Sequence, residues 1–180
     1  QLSIYKNGEL DNIKCLKLQL NYDGVPIFKS NNSAFWPLLC TLCNLPGSNI
    51  FPLMLAYGER GHPTDNELLV QVIKELKNIM DSNFSFNGKQ YQVEINAVIC
   101  DAPARSMVKC TKGHSGYFSC DRCEQEGEYV ENRVVLSKTR DLTMRSDQSF
   151  RLQAQPEHHT GLSPFLELKI DLIKGTVSLF

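Results

Sequence analysis

Residues 15–23 read CLKLQLNYD and residues 90–101 read QYQVEINAVICD, and the reading of these two stretches decides the fold. In the first, Leu16, Leu18, Leu20 and Tyr22 alternate with Lys17, Gln19 and Asn21, the period of two that marks a half-buried strand. Asp23–Gly24 breaks that pattern as a turn does. The second is a strand whose later half is apolar, which predicts a central position buried on both faces. Each strand runs straight into an aspartate, Asp23 or Asp101. Open α/β folds place their chemistry at this C-terminal edge of a sheet. Two carboxylates there suit a hard divalent cation, which prefers oxygen ligands. The plainer alternative makes Asp23 the start of an Asp-Gly turn and Asp101 a helix cap before Pro103.

The intervening chain supplies what such a sheet needs. Phe35–Leu45 (FWPLLCTLCNL) and Ile50–Tyr57 (IFPLMLAY) are short apolar runs bounded by Pro, Gly and Asn, and suit buried strands, the first alternatively a short helix. Thr64–Met80 is the clearest helix. Thr64 and Glu67 have capping-box spacing, and Leu68, Leu69, Val72, Ile73, Leu76, Ile79 and Met80 keep a 3.6-residue period. Asn87–Gly88 marks a tight turn after Phe84 and Phe86, and Pro103 fits the first turn of a short helix ending near Cys110. The order is strand, strand, strand, helix, strand, with the two aspartate-ended strands adjacent and parallel.

Composition narrows the classes. The chain has 180 residues, 42% hydrophobic and 22% charged, the balance of a globular domain with a real core. A formal charge of −1 gives no global attraction to nucleic acid, so any such contact must be local. No apolar run approaches a membrane span, and no signal peptide is legible. The chain begins at Gln1 and reads as a fragment. We divide it into a polar segment 1–14, an α/β core 15–112, a Cys/His insertion 113–160 and a C-terminal segment 161–180. Pro164–Phe180 contains a weak strand-like run, FLELKIDLI.

Seven cysteines without a secretory signal point to free thiols in a reducing compartment. Cys40 and Cys43 lie in an apolar run and are expected as core thiols. Cys110, His114, Cys120 and Cys123 fall in a polar stretch with little apolar periodicity, and His158–His159 follow. Cys-x2-Cys is a usual zinc half-site, and zinc would supply folding energy that this stretch lacks. Cys120 and Cys123 are the primary candidates. Cys110 and His114, or His158 or His159, would complete the set. Basic residues group at Arg105, Lys109, Lys112 and Arg122, and again at Arg133, Lys138, Arg140, Arg145 and Arg151. The default reading of these groups is a solvated mixed-charge surface; as a phosphate-backbone track the candidates are Arg105, Lys109 and Lys112, Arg105 foremost because it follows Asp101 by four residues.

The runs NYDGVPIFKSNNSAFWPLLCTLCNLP, VICDAPARSMVKCTKGHSGYFSCDRCEQEGEY and RSDQSFRLQAQPEHHTGLSPFLEL resemble transposase-derived proteins related to the CACTA (EnSpm-like) DNA transposons, over roughly residues 15–168. The resemblance implies a ribonuclease H-like mixed sheet with a DDE acid triad that cuts and joins DNA using Mg²⁺ or Mn²⁺. It makes Asp23 in YDG the first acid and Asp101 in CDAPAR the second, and it matches Cys120 and Cys123 to the cysteine pair of the family's insertion. It further implies transposon-end DNA as partner, bound through additional domains, a homo-oligomeric state and a nuclear location. The chain departs from the pattern after IDLI, where relatives continue into helices bearing the third acid. Glu167 and Asp171 are the only late acids near an ordered segment, and neither matches that position. The alternative is a domesticated, zinc-stabilised DNA- or protein-binding module without catalysis.

Overall fold

The computed structural model describes residues 10, 12–27, 32–59, 63 and 66–177. They form an α/β fold with a mixed sheet, divided into two compact units. The first comprises the chain up to Ile99 together with Glu167–Ile170, and the second Cys100–Leu166 with Asp171–Phe180.

In the first unit, β1 (Cys15–Tyr22), β3 (Ala34–Leu42) and β4 (Phe51–Gly58) form an antiparallel meander, with the short β2 (Val25–Pro26) paired to the start of β3. Helix α1 (Glu67–Ser82) follows, then β5 (Phe84–Phe86) and β6 (Lys89–Ile99), joined by the Asn87–Gly88 turn. Asn87 and Gly88 both have positive φ (49° and 75°), as a tight hairpin turn between these strands requires. β6 pairs parallel to β1 from Cys15↔Gln92 to Asn21↔Ile99, with one register shift after Leu18. The expected order, and the parallel pairing of the two aspartate-ended strands, are what the structure has.

Alternation decides the core. In β1 the residues Leu16, Leu18, Leu20 and Tyr22 are buried while Lys17 is exposed. Phe35–Leu45 contributes a strand rather than a helix, burying Trp36, Leu38, Cys40 and Leu42 on one face. Helix α1 packs Leu69, Val72, Ile73 and Leu76 inward.

Several expectations are corrected. The Ile50–Tyr57 strand is not buried throughout: β4 buries Met54 but exposes Leu55 and Tyr57, whose face of the sheet is open there. β6 is central yet alternates, with Glu94 and Asn96 exposed, so only its last turn of residues approaches burial on both faces. The helix begins at Glu67 with Asn66 as N-cap and no side-chain cap bond. Thr64, on which the capping box rested, lies outside the described residues. Leu68 and Ile79 are exposed and Met80 half-buried, so the helix stripe is narrower than the sequence period suggested. Cys43 is exposed, its thiol 3.3 Å from the Lys17 carbonyl, while Cys40 is buried. FLELKIDLI is no strand; it is a 3₁₀ turn at Pro164–Glu167 followed by turns and bends.

In the second unit, α2 (Ala102–Lys109) leads into irregular chain containing a small hairpin of β7 (Glu128–Val130) and β8 (Arg133–Val135), then α3 (Asp147–Arg151) and a 3₁₀ turn at Pro156–His158. Ala104, Val108, Phe150, Phe165, Leu172 and Ile173 are buried there, so this region holds more apolar core than its sequence suggested. All seven cysteines are free thiols. No helix among the described residues is long and apolar enough to cross a membrane.

Candidate functional site

The first candidate element is the C-terminal edge of β1 and β6. Asn21 and Ile99 are the last register partners of the parallel pair, and the Asn21 Nδ2 donates to the Ile99 carbonyl at 3.2 Å. Asp23 and Asp101 each follow by two residues in the chain. Asp23 is half-buried and its Oδ1 accepts the Gly24 amide at 2.8 Å. The Trp36 indole lies against Gly24: a Cβ built there would sit 2.7 Å from the ring, so this position has no room for a side chain. Tyr22 stacks against the same indole with centroids 5.3 Å apart, which fixes the strand end before Asp23.

Asp101 is also half-buried, and it is the N-cap of α2, its Oδ1 accepting the Ala104 amide at 2.7 Å. Both aspartates therefore do the local backbone work of the plainer alternative. A carboxylate offers two oxygens and about four lone-pair directions, so one amide contact leaves capacity for a hard cation. Neither carboxylate forms an ion pair among the described residues.

The late acids are occupied. Glu167 Oε2 meets Lys77 Nζ at 2.6 Å, and that bond and charge hold its carboxyl below the usual range. Asp171 Oδ1 accepts the Ile173 and Lys174 amides, both at 2.8 Å. Burial alone would raise its pKa; those amides nevertheless hold it low.

The basic candidates separate. Lys109 is fully buried, its ammonium paired with Asp121 and placed 4.9 Å over the Phe150 ring, so it cannot reach a phosphate. Burial pushes its pKa down despite that partner. The expectation of a backbone-contacting Lys109 is thus corrected: the apolar residues around the end of α2 enclose it. Arg105 is half-buried, with Nε 3.4 Å from Asp121 Oδ2. Lys112 is exposed. Arg145 is buried, donating to the Cys120 carbonyl at 3.1 Å and to Gln155, and Arg151 pairs with Asp147 at 2.6 Å. These two are internal fasteners that the sequence could not distinguish from surface charge.

The cysteine and histidine candidates are in the second unit. Cys120 and Cys123 place their sulfurs 3.1 Å apart. The Cys123 amide donates to Cys120 Sγ at 3.3 Å, and Gln125 Nε2 to Cys123 Sγ at 3.1 Å. Burial would raise the Cys123 pKa, but hydrogen bonds from Gln125 and Cys120 lower it overall. Cys110 ends α2 in the left-handed conformation, its thiol 3.5 Å from the Leu162 carbonyl and its pKa raised by burial. His114 is exposed, whereas His158 is fully buried and His159 half-buried. No group of three or more His, Cys, Asp or Glu side chains among the described residues is already disposed to hold a metal ion.

No family model, curated protein or solved structure matches the chain.

Proposed function

We propose that this chain is part of the catalytic core of a DDE-type transposase, with a ribonuclease H-like arrangement of its sheet and Asp23 and Asp101 as the first two acids. One observation carries the reading: the parallel pairing of β1 and β6 ends at Asn21↔Ile99, and each aspartate follows its strand by two residues. The strand order β4-β3-β1-β6, with α1 between β4 and β6 in the chain, supports it further. The two carboxylates fit a hard cation in donor chemistry, each half-buried and each holding one oxygen on a local amide.

A bound Mg²⁺ or Mn²⁺ would supply Lewis-acid activation of the phosphodiester and of its attacking hydroxyl. The chain's own residues fix the acids. The Gly24 amide holds Asp23 in a turn against which the Trp36 indole packs at Gly24, and the first turn of α2 orients Asp101. Of the three candidates Arg105, Lys109 and Lys112, Lys112 is exposed after α2 and has no ion pair among the described residues, and it would meet a phosphate backbone. Transposon-end DNA, a homo-oligomeric assembly and a nuclear location belong to the same proposal.

A specific observation favours the second reading, a binding module without catalysis: Glu167 and Asp171 are both engaged, one by Lys77 and one by backbone amides. Uptake of Mn²⁺ separates the two. The transposase reading expects saturable Mn²⁺ binding that Asp23→Asn and Asp101→Asn each weaken. DNA binding by a chain that takes up no Mn²⁺ supports the binding module, and Mn²⁺ binding unchanged in both variants overturns the assignment of the acids.

A further inference from the structure

We infer that Cys120, Cys123, His158 and His159 form a tetrahedral zinc site, with Cys110 and His114 outside it. This stands independently of the acid pair, because it rests on side chains of the second unit alone.

The histidines carry the argument. His158 is fully buried, and its Nδ1 lies 2.6 Å from the Phe118 carbonyl. A carbonyl only accepts, so Nδ1 bears the proton and Nε2 presents a lone pair. That Nε2 is buried and has no hydrogen-bond partner among the described residues, and the same is true of the His159 Nε2. The two rings are adjacent and nearly perpendicular, with centroids 5.2 Å apart. A buried acceptor without a partner costs about 1–3 kcal/mol. Two unpartnered ring nitrogens in consecutive residues, the His158 one with its lone pair turned inward, point to a missing electrophile. An imidazole whose far nitrogen is fixed by a carbonyl is the usual posture of a metal ligand.

The cysteines supply the other half. Their sulfurs are 3.1 Å apart and receive N–H bonds from the Cys123 amide and from Gln125. Such donors favour thiolates over thiols. The two halves are fastened to each other. Gln155, just before the turn that bears His158, donates to the Glu124 carbonyl at 3.1 Å, and it also accepts from Arg145, whose Nε donates to the Cys120 carbonyl. Hydrogen bonds from the histidine segment thus reach both sides of the Cys-x2-Cys turn.

The rejected donors are placed differently. His114 is exposed, and the Cys110 thiol is directed at the Leu162 and Met107 carbonyls. Tetrahedral Zn–S bonds of about 2.3 Å need sulfurs about 3.8 Å apart, so binding opens the thiol pair slightly and draws the imidazoles onto it. Two thiol protons leave to solvent as the ion enters. Two thiolates and two neutral imidazoles then leave the site uncharged.

The test is zinc content and X-ray absorption of the tag-free full chain, refolded with zinc and freed of excess. We expect about one equivalent per chain and a first shell of two sulfurs and two nitrogens. Cys110→Ser and His114→Ala should retain the metal, while Cys120→Ser, Cys123→Ser, His158→Gln and His159→Gln should each lose half or more of it. Less than half an equivalent in the unmodified chain, a shell of three sulfurs, or loss of zinc on changing Cys110 or His114 overturns the assignment. The absorption spectrum of the unmodified chain decides the matter even where a histidine variant fails to fold.

Discussion

Asn21 and Ile99 face each other across two parallel strands, and the Asn21 side chain donates to the Ile99 carbonyl at 3.2 Å. The bond pins the register at the edge from which both aspartates depart. Asn21→Ala should cost about 1 kcal/mol, the net worth of one such bond. Urea unfolding should show this as a lower midpoint with an unchanged slope. A loss near zero would mean the register is held by the strand ladder alone.

Asp101 has a cap role and a proposed ligand role, which substitutions can separate. Asparagine also caps helices well, whereas alanine forfeits about 1 kcal/mol. Asp101→Asn should therefore leave stability nearly unchanged and Asp101→Ala should lower it, while both remove the carboxylate. Thermal melts of the two variants check this; equal losses would contradict the cap seen at the Ala104 amide.

Trp36 is the chain's one tryptophan and lies against Gly24. Gly24→Ala must displace the indole, since the new methyl would lie 2.7 Å from it. The emission of Trp36 should shift to longer wavelength as the ring meets water. An unmoved spectrum would show that the strand end yields instead.

Burial pushes the Cys40 pKa up to about 12, while Cys43 is exposed. A thiol titrating so high stays protonated, and unreactive toward alkylation, from pH 7 to 10. Brief iodoacetamide treatment at pH 8 of the folded chain should label Cys43 and spare Cys40. Peptide mass spectrometry reads both, and equal labelling would contradict the burial of Cys40.

The strands were legible where alternation was strong, as in Leu16–Tyr22, because a half-buried strand writes its two faces into the sequence. Exposure at β4 was not legible: apolar Leu55 and Tyr57 look the same whether or not anything packs on their face of the sheet. The fate of Lys109 was hidden for a similar reason. Its burial depends on Asp121 and Phe150, which only the folded chain brings to the end of α2. The Cys-x2-Cys spacing indicated Cys120 and Cys123 directly, yet choosing among the histidines required burial and the Phe118 carbonyl. Arg145 and Gln155, which fasten that region, carried no signal because a buried arginine looks like a surface one in sequence.

The most direct test of the central claim is the binding of Mn²⁺ to the full chain, followed by loss of the free-ion electron paramagnetic resonance signal. Saturable binding is expected, which Asp23→Asn and Asp101→Asn each weaken at least tenfold, with the fold intact by circular dichroism. Binding that both variants retain unchanged, or no saturable binding at millimolar Mn²⁺, would contradict it.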